Sequence, residues 1–341
     1  DPVHHLERHD TAVTNSPHPP RRASDHVEGR DLAVTNSPQS ARRVSDHHAA
    51  SRRLPGPWVS AVVVLAGVLV MLYPVLGTQY NNVKQREFAT HYNREVAQAA
   101  PDQLGADLAE ARAYNATLEG IPILDPWLAQ NSGDPKSGPY RTYLDELSNF
   151  SVMARVRVPA AHIDLPVDHG TTDAVIARGA GHLYGTSLPV GGTSTHAVLT
   201  SHTGMATATL FDHLTSVVVG DLVFVDVEGE TLAYQVDQIK IVLPNQIDDL
   251  KVVKGKDLLT LFTCTPYAIN THRLLVRGHR VPYVPAAADV AEVASVTPGM
   301  DPRMYGLMAG AAAGGLVFMF IIGREVRRVR AARVLSLAGR H

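Results

Sequence analysis

Two long apolar stretches without charged residues lie near the two ends of the chain. They run from Trp58 to Leu76 and from Met304 to Gly323, and each is close to the ~20 residues that a helix needs to cross a bilayer. A long polar segment precedes the first stretch and no clear cleavage site follows it, so we expect a retained anchor rather than a signal peptide. The arginine-rich flank after the second stretch favours a stop-transfer helix over a buried helix rich in glycine and alanine.

Between these stretches, the period of the apolar positions changes from that of helices to that of strands. Apolar residues recur at helical spacing over Gln79–Ala99, and an acidic first turn after proline predicts a second helix over Asp102–Asn115. From Met153 onward, short β-type runs alternate with turn residues such as Glu228-Gly229. Seven or eight short strands with few helical interruptions predict an all-β domain, either a closed barrel or a sandwich.

Residues 1–56 are polar and contain an internal repeat. DTAVTNSPHPPRRASDH at positions 10–26 returns as DLAVTNSPQSARRVSDH at positions 31–47. Two copies poor in large apolar residues cannot bury a core, so we predict a disordered tail rather than a solenoid. Ser24 and Ser45 follow paired arginines and are candidate phosphorylation sites, although a solvated basic linker is the simpler interpretation.

The placement of arginines predicts the orientation in the membrane. Arg52 and Arg53 precede the first apolar stretch, and an arginine cluster follows the second. The positive-inside rule then puts both ends in the cytoplasm and residues from about 78 to 303 outside the cell membrane. The net charge of −2 gives no argument for a nucleic-acid partner.

Cys264 is the only cysteine in the 341 residues, and it ends the apolar run LLTLFTC. One cysteine cannot form an internal disulfide, and the sequence has neither a Cys/His cluster at zinc spacing nor a calcium-binding carboxylate cluster, so we predict no metal or other cofactor. A lone cysteine is commonly a small buried core residue. At the end of a strand, however, it is also placed to act as a nucleophile, provided that a base or cation favours the thiolate.

Two histidines compete as the partner of this thiol. His202 ends the run HAVLTSH before a Thr-Gly turn and so shares the strand-end position of Cys264, whereas His272 is nearer in sequence. Position alone favours His202 only modestly. Arg273 opens the next strand, where its guanidinium either donates to an oxyanion or pairs with a surface carboxylate. The arginines that we compare with it, and expect to face outward from strands, are Arg155, Arg157, Arg277 and Arg280.

The stretch TLFTCTPYAINTHRLLVRG (260–278) resembles the signature of the sortases, and of the pilin-polymerising class C sortases in particular. Three upstream stretches resemble the first strands, the connecting loop and the histidine motif of that family: ARVRVPAAHIDLPVDHGT (154–171), GAGHLYGTSLPVGGTSTHAVLTSHTG (179–204) and TLFDHL (209–214). The resemblance covers roughly residues 80–284. It implies an all-β fold, an eight-stranded sortase-type barrel with N-terminal helices and flanking transmembrane helices.

The resemblance also implies a Cys-His-Arg active site. Carried over to this sequence, Cys264 is the nucleophile, His202 the acid and base, and Arg273 the residue that stabilises the oxyanion or positions the substrate. Thr263, beside the nucleophile, becomes an expected wall of the substrate groove. The departures from the LTGHRG and TPYGIN patterns common in the family are Ser201, Thr203 and Ala268.

A lid is a further expectation from the resemblance, because class C sortases carry an Asp-Pro-aromatic motif before the barrel. Asp125-Pro126-Trp127 fits this motif, so Asp125 would pair with Arg273 and Trp127 would cover the thiol. From the residues alone, a proline-shaped exposed turn with a packed tryptophan is the simpler interpretation.

The function implied by the resemblance is that of a membrane-anchored cysteine transpeptidase. It would cleave LPxTG-type sorting signals of surface proteins through a thioester and join them to a pilin lysine. The alternatives are a housekeeping-type sortase that uses a cell-wall precursor amine, a catalytically silent binding module, and a receptor that signals through its tail. The predicted segments are a disordered cytoplasmic tail (1–56), a transmembrane helix (57–77), an extracellular helical stalk (78–119), a lid loop (120–140), the barrel (141–284), a linker (285–303), a second transmembrane helix (304–323) and a basic cytoplasmic tail (324–341).

Overall fold

The computed structural model describes residues 57–118, 138–246, 248–285 and 302–338. The helices in these ranges are α1 (Pro57–Gln98), α2 (Pro101–Asn115), α3 (Gly138–Asp145), α4 (Asp173–Arg178) and α5 (Pro302–Ala338). The strands are β1 (Ala154–Val158), β2 (Ile163–His169), β3 (Ala180–His182), β4 (Thr195–Thr200), β5 (Leu222–Val227), β6 (Glu230–Val242), β7 (Asp257–Thr265) and β8 (His272–Val281). The predicted tail, the Asp125-Pro126-Trp127 motif and most of the predicted linker lie outside the described residues.

Within the described residues, the strands close into a barrel in the order β1-β2-β3-β4-β7-β8-β6-β5, which confirms the predicted eight-stranded fold. Two pairs, β2 with β3 and β4 with β7, are parallel, and the remaining pairs are antiparallel. The parallel β4–β7 pair is the one that matters for the site, because it brings together two segments more than fifty residues apart. The three-residue strand β3 is too short to produce a recognisable β pattern in the sequence.

Side chains alternate strictly between the inside and the outside of the barrel along its strands. On β1, Val156 and Val158 belong to the central core, whereas Arg155 and Arg157 point to the outer side. These arginines point outward as predicted, yet they are buried, at 3% and 4% exposed, which the sequence did not indicate. Each is neutralised by a two-bond ion pair, the guanidinium of Arg155 donating to Asp164 at 2.7 and 2.8 Å. Buried charges need such partners to offset their lost hydration.

Helices α1 and α5 are long and apolar enough to cross a membrane. They pack against each other where glycines allow close approach, because a Cβ on Gly314 would lie 2.7 Å from Val68 Cγ2 and one on Gly310 would lie 3.1 Å from Met71 Sδ. Helix α1 also continues past Pro74 and the end of its apolar stretch without a break, so the predicted span and the predicted stalk helix form one element. The apolar stretch and the segment that follows it toward the barrel are thus parts of one continuous helix.

Candidate active site

The expected nucleophile lies on the middle one of three adjacent strands, β4, β7 and β8. Cys264 is the penultimate residue of β7, and its side chain is 5% exposed. Its direct partner in the antiparallel β7–β8 ladder is Arg273. On the other side, the parallel register pairs Thr200 with Phe262, so His202 comes level with Cys264 two residues further along. The three residues predicted from the sequence therefore meet at one edge of the barrel.

The alternation of side chains places the three residues on one face. Leu261 and Leu274 lie in the central core, whereas Phe262 and Leu275 belong to a separate cluster on the outer face of the same strands. Cys264 follows Phe262 by two residues, and directly paired residues share a face, so Cys264 and Arg273 are both on the outer face.

This alternation also separates the two candidate histidines. His272 is paired with Thr265, one residue beyond Cys264, and so lies on the opposite face of β8 from Arg273. Its Nδ1 is 2.9 Å from the hydroxyl of the neighbouring Thr271. The geometry favours His202 as the partner of the thiol, which the order of residues along the chain did not decide.

Hydroxyl groups hold the end of β4 in place beside β7. Thr200 Oγ1 donates to the carbonyl of Phe262 at 2.8 Å, and Thr263 Oγ1 donates to the carbonyl of Ser201 at 2.8 Å. Ser201 Oγ in turn donates to the carbonyl of Gly179 at 2.6 Å. These buried bonds hold the two residues that directly precede His202 against β7 and against Gly179.

Thr263 is 1% exposed, and its hydroxyl is occupied by this bond to the carbonyl of Ser201. By alternation, its side chain lies on the opposite face of β7 from Cys264. Its expected role as a wall of the substrate groove stays a prediction, and the contact that the structure gives it is a brace between β4 and β7.

The segment from Thr203 to Asp212, which we call the histidine loop, is closed on itself. Asp212 Oδ1 accepts hydrogen bonds from Thr203 Oγ1 at 3.0 Å and from the amide of Gly204 at 2.7 Å. The amide of Phe211 donates to the carbonyl of His202 at 3.1 Å, which ties the end of the loop to the histidine itself.

The segment from Thr265 to Thr271, which we call the thiol loop, connects Cys264 to Arg273. Arg273 is 3% exposed, and its Nη1 donates to the carbonyls of Asn270 at 3.0 Å and His272 at 3.2 Å. The guanidinium thus supports the thiol loop through its Nη1 nitrogen.

The two loops touch each other at a glycine. Gly204 has a φ of +82°, and a Cβ there would lie 3.2 Å from the backbone nitrogen of Ala268. Ala268 itself has a φ of +62°, a left-handed conformation that glycine adopts more readily than alanine. This explains the physical advantage of the glycine that is common at this position in the family pattern.

Burial sets the protonation of the histidine. His202 is half-buried, and loss of hydration lowers its pKa, because the charged imidazolium is the form that burial disfavours. The carboxylate of Asp173, the first residue of α4, opposes this and raises the pKa. Sequence reasoning did not single out Asp173, because its nearness to His202 depends on the barrel and leaves no local signal.

No candidate metal site is present among the described ranges, in which no group of three or more His, Cys, Asp or Glu side chains is placed to hold an ion. The lid residues Asp125, Pro126 and Trp127 fall outside these ranges, so their expected position over the thiol stays a prediction.

Comparison with known proteins gives a family. A family model described as Sortase domain matches residues 156–281. Among curated proteins, sortase A of Streptococcus agalactiae is 28% identical over 134 residues, which is 38% of this chain and 53% of that protein. The chain thus spans about half the length of this curated relative.

Solved structures match over most of their own length. Sortase C-1 from Actinomyces oris is 50% identical, with a TM-score of 0.52, over 53% of this chain and 99% of that chain. Sortase C of Streptococcus pneumoniae is 40% identical, with a TM-score of 0.53, over 58% of this chain and 97% of that chain. A lid mutant of sortase A from Corynebacterium diphtheriae is 44% identical, with a TM-score of 0.52, over 56% of this chain and all of that chain.

Proposed function

Because this chain belongs to the sortase family and its structural neighbours include class C sortases, we propose that it is a transpeptidase that joins surface proteins to a pilin lysine. The observation that carries the proposal is the direct pairing of Cys264 with Arg273, with His202 level on the adjacent strand. A thiol, an imidazole and a guanidinium at one strand edge are the groups that acyl transfer through a thioester needs.

The first half-reaction would form the acyl-enzyme. The thiolate of Cys264 attacks the carbonyl carbon of the peptide bond that follows Thr in an LPxTG-type signal, and Arg273 donates hydrogen bonds to the oxyanion. When the C–N bond breaks, the imidazolium of His202 gives its proton to the departing amine. The products are a thioester on Cys264, a free amino terminus on the released segment and a neutral histidine.

The second half-reaction would transfer the acyl group to an amine. Neutral His202 accepts a proton as the lysine ε-amine attacks the thioester carbon, the C–S bond breaks, and an isopeptide bond forms. The thiolate and the imidazolium are then restored, so no external oxidant, reductant or metal enters the cycle. The lowered pKa of His202 suits this step, because it increases the neutral form that accepts the proton.

A pilin acceptor is favoured over a cell-wall amine by the neighbours of this chain. The Streptococcus pneumoniae sortase C structure is described in terms of pilin substrate specificity, and another neighbour is sortase C1 of a pilus island. Another neighbour is a lid mutant of sortase A from Corynebacterium diphtheriae, so a lid occurs in a relative, and by the resemblance Asp125-Pro126-Trp127 would cover the thiol between reactions.

The proposed location is the outer face of a cell membrane. Two candidate spans, in α1 and α5, flank the sortase domain, and the arginines at 52, 53 and 324–333 favour cytoplasmic ends by the positive-inside rule. In this arrangement the catalytic domain meets substrates that are confined to the same surface, which raises their effective concentration.

The test is mass spectrometry of the full chain in detergent micelles with an LPxTG-type peptide and a pilin-lysine peptide. We expect an adduct on Cys264 and an isopeptide product, both abolished in Cys264→Ala. His202→Ala should lower turnover by roughly 10²–10⁴-fold, the usual contribution of general acid–base catalysis. His272→Ala is the matched control and should leave turnover within about twofold, since it removes the same side chain from the opposite face.

The outcomes separate the alternatives. An adduct that transfers to a cell-wall-type amine but not to lysine would replace the pilus function with wall anchoring. Adduct formation that increases when Asp125→Ala and Trp127→Ala are combined supports the lid. No adduct even in this lid variant, with several sorting motifs tried, would contradict the transpeptidase and favour a silent binding module.

A further inference from the structure

Helix α1 carries buried polar residues directly after its apolar stretch. Thr78, Asn82 and Gln85 are only 2%, 5% and 4% exposed, although they lie on the segment that leaves the candidate membrane span. Buried polar side chains require hydrogen-bond partners, so the partners of these residues show what α1 is built to hold.

Two side chains of α1, Thr78 and the partly buried Asn81, donate to backbone carbonyls of the histidine loop. Thr78 Oγ1 donates to the carbonyl of Ala206 at 3.3 Å, and Asn81 Nδ2 donates to the carbonyl of Thr207 at 2.8 Å. Both contacts join positions more than 120 residues apart in sequence.

A third contact is reciprocal. Asn82 Nδ2 donates to Thr209 Oγ1 at 2.9 Å, and the amide of Thr209 donates back to Asn82 Oδ1 at 3.3 Å. One turn earlier, Gly77 lets the helix approach closely, since a Cβ there would lie 3.0 Å from Thr207 Cγ2. The helix therefore holds the histidine loop by hydrogen bonds at Ala206, Thr207 and Thr209 and by close packing at Thr207.

The loop held in this way connects directly to the reacting groups. Its far end returns to the histidine through the bond from the amide of Phe211 to the carbonyl of His202. Its near end, at Gly204, rests against Ala268 of the thiol loop. A displacement of the loop relative to α1 would therefore move His202 relative to the loop that connects Cys264 to Arg273.

We propose that Thr78, Asn81 and Asn82 are positioning residues of the active site, through which the membrane anchor holds the histidine loop and thereby aligns His202 with Cys264. This inference rests on the proposed function for its chemistry. None of the three contacts the reacting groups, so their effect is on the placement of the base rather than on substrate binding. Small misplacements of catalytic groups are costly, since about 1 Å can lower a rate by about 10²-fold.

The experiment compares Asn81→Ala combined with Asn82→Ala against the wild-type full chain, both in detergent micelles. Asn93→Ala is the matched control, because it removes the same side chain from α1 about three turns further on, beside Tyr92 and away from the histidine loop. The readouts are kcat and KM for an LPxTG-type peptide, the alkylation rate of Cys264 by iodoacetamide, and the pKa of His202 by NMR.

We expect the double variant to lower kcat by about tenfold or more with KM within about twofold, because alignment and not binding is disturbed. The pKa of His202 should rise toward its ordinary value as the loosened loop admits water. In single variants, Asn82→Asp should recover most of the loss seen in Asn82→Ala. A carboxylate still accepts from the Thr209 amide, and the Thr209 hydroxyl can reverse its role and donate.

The proposal is overturned if the double variant keeps wild-type kcat, thiol reactivity and His202 pKa, whether or not its melting temperature falls. Such a result would leave α1 with a purely structural role. If the wild-type chain shows no transpeptidation at all, the proposed function fails. The alkylation rate and the His202 titration still decide the positioning role in that case, because neither needs a peptide substrate.

Discussion

At the scale of single residues, the proposed reaction depends on the protonation of His202. Its pKa is the balance of two opposing effects, burial lowering it and the Asp173 carboxylate raising it. The proposed cycle uses this residue first as an acid and then as a base, so a pKa moved far in either direction would slow one half-reaction.

Removing the Asp173 charge gives a prediction with a definite sign. In Asp173→Asn, the pKa of His202 should fall further, because the carboxylate that favours the imidazolium is lost. The limb of the kcat/KM profile that reports loss of the imidazolium should therefore move to lower pH, as measured by peptide turnover and by NMR titration. Asp168→Asn is the control. It weakens the ion pair with Arg178, the last residue of α4, but the carboxylate that it removes is already paired with that arginine. Equal shifts in both variants would contradict the assignment.

At the scale of elements, the β5–β6 turn contains a buried carboxyl group, that of Glu228. Glu228 is 2% exposed at a φ of +43°, and neither of its carboxylate oxygens has a hydrogen-bond partner among the described residues. Its amide donates to Tyr92 OH at 2.9 Å, so the turn is docked against α1. Burial, and then the charge of Asp107, raises the pKa of Glu228 from its ordinary value of 4.5 to about 7.

The pH dependence of stability follows from this raised pKa. The Glu228 carboxyl holds its proton more tightly in the folded state than in the unfolded state. The stability that this carboxyl contributes relative to high pH is therefore fully present below pH 4.5 and is lost as the pH rises through about 7. Glu228→Gln should flatten this fall and raise the free energy of unfolding at pH 8 by about 1–3 kcal/mol, the scale of a buried unsatisfied group. Urea unfolding across pH measures it.

The neighbouring Glu230→Gln is the matched control for this turn. Glu230 forms an ion pair with Arg112 at 2.8 Å, and both side chains are exposed. Its loss should cost at most about 1 kcal/mol and leave the pH profile unchanged in shape. If Glu228→Gln behaves like Glu230→Gln, the carboxyl of Glu228 is hydrated in solution and the argument from burial fails.

The sequence predicted the local parts of this architecture well and the non-local parts poorly. The strand that ends at Cys264 was visible because a buried strand is a short apolar run, and α2 was visible from its period and acidic first turn. Position alone favoured His202 over His272 only modestly, and the resemblance then named His202. The physical reason is the parallel β4–β7 register, which no local pattern encodes. The burial of Arg155 was missed for the same reason, since its partner Asp164 lies on the adjacent strand.

At the scale of the whole molecule, the two apolar helices and the barrel form one unit. Helix α5 packs on α1 through glycines, and further along the same helix α1 donates hydrogen bonds to the histidine loop. The packing between the two apolar helices and the histidine loop therefore share one continuous helix. The same continuity explains why the sequence-derived boundary at residue 77 does not appear as a break in the structure.

Helix packing can be tested with two adjacent glycines. Gly314→Leu should separate α1 from α5, because its Cβ alone would lie 2.7 Å from Val68 Cγ2. We expect a loss of about 1–3 kcal/mol, the usual cost of overpacking, seen as a lower melting temperature of the full chain in micelles. Gly315→Leu adds the same side chain where no atom lies within 4 Å of its Cβ and should be nearly neutral. Equal melting temperatures for the two variants would show that the helices are not packed in this way.

The unbroken course of α1 also sets the height at which the reaction takes place. With Trp58–Leu76 in the hydrocarbon, Asn82 would stand six residues further, which at 1.5 Å per residue is about 9 Å beyond the boundary and just past a headgroup layer roughly 5–8 Å deep. In this arrangement the barrel edge that carries Cys264 would lie close to the bilayer surface. A membrane-retained substrate then needs only a few extended residues, at about 3.3 Å each, between its own span and its cleavage point. Reach along the membrane normal would select substrates before any side chain is recognised.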